Sequence, residues 1–87
     1  MKEIIYNKIT KNINCSEINI IDESHLHAGH NNFSGKSGTH FKIEIISSDF
    51  KGVSLIKRHK MINNILKSEL SSSIHALSLN LKSEDNI

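Results

Sequence analysis

The segment from Asp22 to Phe41 reads D-E-S-H-L-H-A-G-H-N-N-F-S-G-K-S-G-T-H-F and contains four of the chain's six histidines. They are His25, His27, His30 and His40. Imidazole is the commonest metal ligand and titrates near neutral pH, so this cluster indicates metal binding, proton transfer or pH sensing. The alternative is a solvated polar loop, because the spacing does not match the Cys/His pattern of a zinc finger.

Two more histidines lie further along the chain. His75 opens the last predicted strand, where it is either a ligand on a rigid element facing the histidine loop or a partly packed residue at a strand end. His59 falls within the apolar stripe of a predicted helix, so we expect a core-facing histidine with a hydrogen-bond partner. Ser24 precedes His25, but adjacency in sequence is not triad geometry. We identify no nucleophile–base pair and expect no enzyme.

The same predicted helix carries a basic face that could contact phosphates. Lys57, Lys60 and Lys67 gather there, with Arg58 on the flank, and the helix follows a Gly-containing turn as in helix-turn-helix units. The alternative is an ordinary solvated helix face. The formal net charge of +2 and the pI of about 8.8 are lower than dedicated nucleic-acid-binding proteins usually show.

Length and composition limit the organisation of the chain. Its 87 residues predict one domain, 1–87, in which the polar tail 82–87 should fray. Cys15 is the single cysteine, which excludes an intramolecular disulfide and favours a reducing compartment. We expect a cytoplasmic protein, because the N-terminal stretch lacks the apolar region of a signal peptide and no apolar run is long enough to cross a membrane.

Hydrophobic periodicity predicts five elements in the order α-β-β-α-β. They are a helix over 1–12, a strand over 18–22, a strand over 40–46, a helix from the N-cap Ser54 to Leu70, and a strand over 74–81. The second strand should bury Phe41, Ile43 and Ile45 on one face. The long helix should turn inward the stripe Leu55, His59, Ile62, Leu66 and Leu70, widened by Met61 and Ile65. The order predicts an α+β domain with a three-stranded mixed sheet and helices on one side.

Four motifs together resemble the BolA family over nearly the whole chain. They are D-E-S-H-L-H (22–27), T-H-F-K-I-E-I-I-S (39–47), F-K-G-V-S-L-I-K-R-H-K-M-I-N (50–63) and I-H-A-L-S-L (74–79). The resemblance implies a fold like the type II KH domain, with a helix-turn-helix-like segment over 50–70. It also implies a protein that pairs with a monothiol glutaredoxin and shares a [2Fe–2S] cluster with it, in iron–sulfur trafficking or iron-linked regulation.

The resemblance further implies which residues hold that cluster. One ligand is the histidine of the I-H-A-L motif, His75, and the other is the loop residue at the position of His27. His25 and His30 are alternative loop ligands, with His30 the first in reserve. Cys15 does not match the ligand of the cysteine-containing subtype.

A [2Fe–2S] cluster needs four ligands, and this chain can offer two imidazoles without a well-placed thiolate. We therefore expect a monomer that holds no cluster alone, and a heterodimer in which the glutaredoxin cysteine and a glutathione thiolate complete the site. The alternative function follows from family members described as transcriptional regulators. In that role the helix carrying Lys57, Arg58, Lys60 and Lys67 would enter DNA.

Overall fold

The structure, a computed structural model, describes residues 1–24 and 39–86. The described residues form α1 (Lys2–Asn12), β1 (Cys15–Asp22), β2 (His40–Ser47), α2 (Leu55–Ile65), α3 (Lys67–Ser72) and β3 (Ala76–Lys82), with short 3₁₀ turns at Ser48–Phe50 and Glu84–Asn86. None of the described helices has the length and apolar character to span a membrane. Of the predicted site residues, His25, His27 and His30 lie outside the described residues.

The three strands form one mixed sheet in the order β1-β2-β3. The central strand, β2, pairs antiparallel with β1 and parallel with β3. A parallel pair needs a crossover, which α2 and α3 supply between β2 and β3. This arrangement confirms the predicted α+β class and the predicted mixed sheet.

The core lies between the helices and one face of the sheet. In β2 the alternation predicted from the sequence is confirmed, because Phe41, Ile43 and Ile45 are buried while Lys42 and Glu44 remain half-exposed. Burying apolar surface on a single face is what holds this small sheet against its helices. The other buried apolar residues are Ile5, Ile9, Ile13, Ile20, Phe50, Ile62, Leu66, Ile74 and Leu81.

The predicted inward stripe of the long helix is wrong at its N-terminal end. Ser54 does cap α2, since its hydroxyl accepts the Lys57 backbone N–H at 3.3 Å. Leu55, however, is 64% exposed, and His59 is also exposed instead of facing the core. The buried residue in this turn is Arg58, one helical turn before Ile62. The helix is therefore rotated relative to the predicted stripe.

Arg58 can be buried because backbone carbonyls accept its guanidinium N–H groups. Its Nε donates to the Val53 carbonyl oxygen at 2.8 Å, and its Nη1 donates to the Leu81 carbonyl oxygen at 3.0 Å. The guanidinium carbon also lies 5.7 Å from the centre of the Phe50 ring. These partners offset the cost of removing a charge from water, and they tie α2 to β3.

The ends of two elements also differ from the prediction. β1 begins at Cys15, earlier than expected, and a register shift between Cys15 and Glu17 explains why the alternation is hidden there. The expectation that 82–87 frays is corrected in part. Lys82 belongs to β3, Ser83 is buried and Glu84–Asn86 forms a 3₁₀ turn.

The long helix also breaks at Leu66, which has φ −100° and ψ 18° and separates α2 from α3. On α3, Glu69 reaches α1, where its Oε2 accepts a hydrogen bond from the Lys8 ammonium at 2.7 Å. This hydrogen bond holds the pKa of the Glu69 carboxyl below its usual range, although burial opposes the shift. The ion pair therefore fastens the first helix to the last one.

We expect Lys8→Met to lower the free energy of unfolding at pH 7 by about 1 kcal/mol, since the pair is partly exposed to solvent. Because the folded pKa of Glu69 is depressed, its contribution is complete above the unfolded-state pKa and disappears as pH falls through the folded value. Urea denaturation at pH 7 and at a second, acidic pH should show a larger difference between variant and wild type at pH 7. Lys11→Met, on the exposed side of the same helix, is the control. An equal loss at both pH values would contradict the assignment.

Candidate functional site

A cluster of short polar side chains joins the end of β1 to the start of β2. Ser24 lies at its centre and is 1% exposed. The Ser24 hydroxyl donates to Asp22 Oδ1 at 2.5 Å and accepts the backbone N–H groups of Thr39 at 3.0 Å and His40 at 3.1 Å. We call Asp22, Ser24, Thr39 and His40 the loop clamp. It holds together the two ends of the segment that carries the predicted loop histidines.

The D-E-S and T-H motifs explain this local structure. Serine, threonine and aspartate side chains are short enough to bond nearby backbone groups, so they readily replace ladder hydrogen bonds where a strand ends. Asp22 Oδ1 also accepts the Ser24 backbone N–H at 3.0 Å, and the Glu23 backbone N–H donates to the His40 carbonyl at 2.8 Å. The strand pairing therefore continues past β1 up to the clamp.

The same clamp receives the start of β3. The Thr39 carbonyl oxygen accepts the His75 backbone N–H at 2.7 Å and the Ala76 backbone N–H at 3.3 Å. In the parallel register His40 pairs with Ala76, so His75 lies directly beside the clamp. His75 is exposed. The structure thus brings the predicted ligand of the I-H-A-L motif to the base of the histidine-rich segment.

His40 and His75 form a pair that the sequence did not predict. Their ring centroids lie 5.7 Å apart with an interplanar angle of 67°, an edge-on contact. This contact gives His40 a neighbour that no motif in the sequence indicated. The T-H motif stands at the start of β2 and the I-H motif stands just before β3, and this similarity was the available signal in the sequence. Only the register of β2 against β3 could show that the two strand starts are neighbours.

The described residues near the clamp offer imidazole nitrogen and no thiolate. Cys15 lies at the far end of β1, where it pairs with Ser47, about 23 Å along the strand from Asp22. Burial, together with the nearby Asp49 carboxylate, raises the pKa of the Cys15 thiol, which disfavours the thiolate that binds metals. Among the described residues no three His, Cys, Asp or Glu side chains group as a metal site. This donor set can supply part of a cluster's ligands but not all four.

The basic face on α2 is narrower than predicted. Lys57 and Lys60 on α2 are exposed, as expected from the sequence, and so is Lys67, which the break at Leu66 places at the start of α3. Arg58, predicted on the flank of this face, is 7% exposed and bonded to two carbonyls, so it cannot reach a phosphate without unfolding. Any nucleic-acid contact through this helix therefore depends on the lysines.

We expect Ser24→Ala to lower the free energy of unfolding by about 2 kcal/mol, because two partly buried backbone N–H groups lose their acceptor. Amide hydrogen exchange at Thr39 and His40 should also accelerate. Ser71→Ala is the matched control, since that hydroxyl is exposed and bonds the Ser68 carbonyl within its own helix. A Ser24→Ala protein within about 0.5 kcal/mol of wild type would contradict the clamp.

Comparison with known proteins identifies relatives over most of the chain. The family model described as BolA-like protein matches residues 9–86. The DNA-binding transcriptional regulator BolA of Haemophilus influenzae is 43% identical over 81 residues, which cover 93% of this chain and 75% of that protein. SufE-like protein 1 of Arabidopsis thaliana, chloroplastic/mitochondrial, is 42% identical over 79 residues, covering 86% of this chain. The match spans only about a fifth, 21%, of that relative.

Solved structures agree with these sequence relatives. The BolA domain of SufE1 from Arabidopsis thaliana superposes with a TM-score of 0.88 at 37% identity, covering 99% of this chain and 94% of that one. BolA1 from the same plant superposes with a TM-score of 0.87 at 34% identity, covering 100% of this chain and 95% of the other. With a family model that matches most of its residues and relatives that share its fold, this chain belongs to the BolA-like protein family.

Proposed function

We propose that this chain is a non-enzymatic partner of a monothiol glutaredoxin and co-ligates a shared [2Fe–2S] cluster in iron–sulfur trafficking or iron-linked regulation. The observation that carries this proposal is the position of His75. It is exposed, and its backbone is bonded to Thr39 at the base of the segment that contains the other histidines. His75, the residue before β3, therefore lies at the base of a chain segment that is rich in further histidines.

Chain connectivity supports His27 as the second ligand. His27 follows Ser24 by three residues, and three residues span at most about 11 Å. Ser24 bonds the Thr39 backbone N–H, and the Thr39 carbonyl bonds His75. The chain length therefore limits His27 to within about 11 Å of Ser24. His30 is six residues from Ser24, so the chain limits its position less closely, and it remains the alternative loop ligand.

The number of ligands supports a shared site. Two imidazoles leave two positions of a [2Fe–2S] cluster to other donors, and Cys15 is too far from the clamp to fill either. A glutaredoxin cysteine and a glutathione thiolate supply the remaining two in this proposal. Imidazole in place of thiolate raises the reduction potential of such a cluster and makes its ligand set sensitive to pH, which suits transfer or sensing.

The test mixes the apo-protein with a cluster-loaded monothiol glutaredoxin and follows visible absorption and circular dichroism. We expect a spectrum distinct from that of the glutaredoxin alone, and its loss in His75→Ala because an iron ligand is removed. His59→Ala, which removes an exposed histidine from α2, is the control and should leave the spectrum unchanged. Comparing His27→Ala with His30→Ala identifies the loop ligand. A His75→Ala protein with unchanged complex and spectrum would refute the assignment.

The second candidate function is DNA binding by a transcriptional regulator, which the name of the Haemophilus influenzae relative favours. The exposed Lys57 and Lys60 on α2 are the residues that would contact phosphates, together with the exposed Lys67 at the start of α3. Arg58 is excluded from this role because its guanidinium is bonded inside the fold. The two functions use different surfaces, so each can be removed without the other.

For DNA binding we expect Lys57→Glu and Lys60→Glu each to weaken the affinity for duplex DNA at least tenfold. Each lost phosphate contact should also reduce the salt slope of binding by about 1. Fluorescence anisotropy with a pool of random duplexes at several salt concentrations measures both quantities. Lys11→Glu on α1 controls for net charge. No binding by the wild-type protein at about 0.15 M salt would eliminate this function.

A further inference from the structure

The outer edge of β1 offers backbone hydrogen-bonding groups to a further strand. Among the described strands, β1 pairs with β2 alone and lies at one side of the sheet. In an antiparallel pair, every second residue bonds to the neighbouring strand, and the residues between direct their N–H and C=O groups away from it. The Glu23 backbone N–H donates to the His40 carbonyl, which sets this alternation in the register of β1 and β2. Ile18 and Ile20 therefore present their backbone N–H and C=O groups at the outer edge.

The two edges of the sheet differ in how they are protected. Natural proteins usually protect an edge strand with lysine, proline, a bulge or a covering group, because its backbone can pair with another chain. At the edge formed by β3, the Arg58 guanidinium covers the strand by bonding the Leu81 carbonyl. On β1, residues 17–21 include neither lysine nor proline, and the register shift lies before them. This stretch of β1 is therefore suited to pairing with another strand.

A groove between α1 and this edge can receive the side chains of an added strand. Tyr6 and Asn7 of α1 line one wall, and Ile18 and Ile20 of β1 line the other, around a cavity of about 450 Å³. Ile20 is buried and Ile18 half-buried on the helix side of the sheet, whereas the Tyr6 side chain remains 48% exposed. In an added strand, the residues opposite Ile18 and Ile20 direct their side chains to the same side. Apolar side chains at those positions would cover the Tyr6 ring.

The charges of β1 favour a basic partner strand. Glu17 is exposed on the face of the sheet away from the helices, and Asp22 and Glu23 add two carboxylates at the end of the strand. No lysine or arginine lies on β1, and Lys2 in the groove wall stands beside Glu3. Opposite charges on paired strands are stabilising and like charges are destabilising. A second copy of this chain would bring the same carboxylates, so a strand with lysine or arginine is the better complement.

We propose that the edge of β1 and the groove along α1 bind an extended basic segment of a partner protein, which joins the sheet as a fourth, antiparallel strand. Apolar residues of the segment face Ile18, Ile20 and Tyr6, and they alternate with lysine or arginine residues, one of which lies opposite Glu17. In this mode of recognition, main-chain hydrogen bonds give affinity and alternate side chains give specificity. The site lies at the opposite edge of the sheet from β3, which follows His75, and it does not depend on the proposed cluster function.

The test titrates the full chain with a short synthetic peptide of alternating lysine and valine and follows the backbone amides by NMR. We expect saturable shifts and slower hydrogen exchange at Ile18 and Ile20, whereas Asn19 and Ile21, already bonded to β2, should exchange slowly throughout. A peptide N-methylated at its valines should bind about tenfold more weakly, because it loses the N–H groups that face β1. Methylation at the lysines, whose N–H groups face solvent, should leave the Kd unchanged. Equal binding by the two methylated peptides would overturn the proposal.

Variants of the chain test the same site from the other side. Glu17→Lys should weaken binding of the lysine–valine peptide about fivefold, whereas Glu84→Lys, an equal charge change at an exposed residue beyond β3, should not. Ile18→Pro removes an N–H that faces away from β2, so it should abolish peptide binding and keep the fold, as checked by the Tm. Ile18→Val is its control and should bind like wild type.

Two further results would overturn the proposal. One is the absence of saturable binding up to about 1 mM of the lysine–valine peptide, which corresponds to a negligible affinity. The other is a dimer of the chain alone, seen by sedimentation equilibrium and lost in Ile18→Pro, because the edge would then belong to a second copy. Neither result bears on the cluster proposal, since these assays contain neither iron nor glutaredoxin.

Discussion

The hydroxyl of Ser24 is the group on which the candidate site depends. It donates to Asp22 and accepts the backbone N–H groups of Thr39 and His40 in a place that water barely reaches. A buried backbone donor without an acceptor costs free energy. The Ser24 hydroxyl oxygen therefore fixes the point where the chain leaves β1 and the point where it enters β2. The histidine-rich segment therefore starts and ends at one point of the sheet, whatever path it takes between.

Thr39 extends this constraint to the third strand. Its backbone carbonyl holds His75, its amide is held by Ser24, and its hydroxyl contacts the His40 ring. A single residue thus links both strand pairings and both described histidines of the site. His40 and His75 therefore meet where the histidine-rich segment rejoins the sheet, and a loop held by a scaffold is where binding residues are usually displayed.

A different interaction, the burial of Arg58, fixes the position of α2. Arg58 crosses from α2 to the Leu81 carbonyl of β3, and its burial sets the rotation of the helix. That rotation turns Leu55 and Ile56 outward, 64% and 71% exposed, beside the lysines of the basic face. Because this surface and the clamp are held by separate hydrogen bonds, a cluster-binding role and a nucleic-acid role do not compete for the same residues. The helical periodicity of the sequence could not predict the burial of Arg58, because one of the carbonyls that bonds its guanidinium belongs to Leu81, far away along the chain.

Local patterns alone determined the order of elements, the buried face of β2 and the cap at Ser54, because strand alternation and helix capping depend on residues only a few positions apart. The sequence also indicated the histidines as candidate site residues and, through family motifs, gave His75 as a proposed ligand. Only the tertiary structure decided that His40 is its neighbour. The physical reason is that the register of two parallel strands is set by packing of the crossover between them, and no pattern within either strand encodes it.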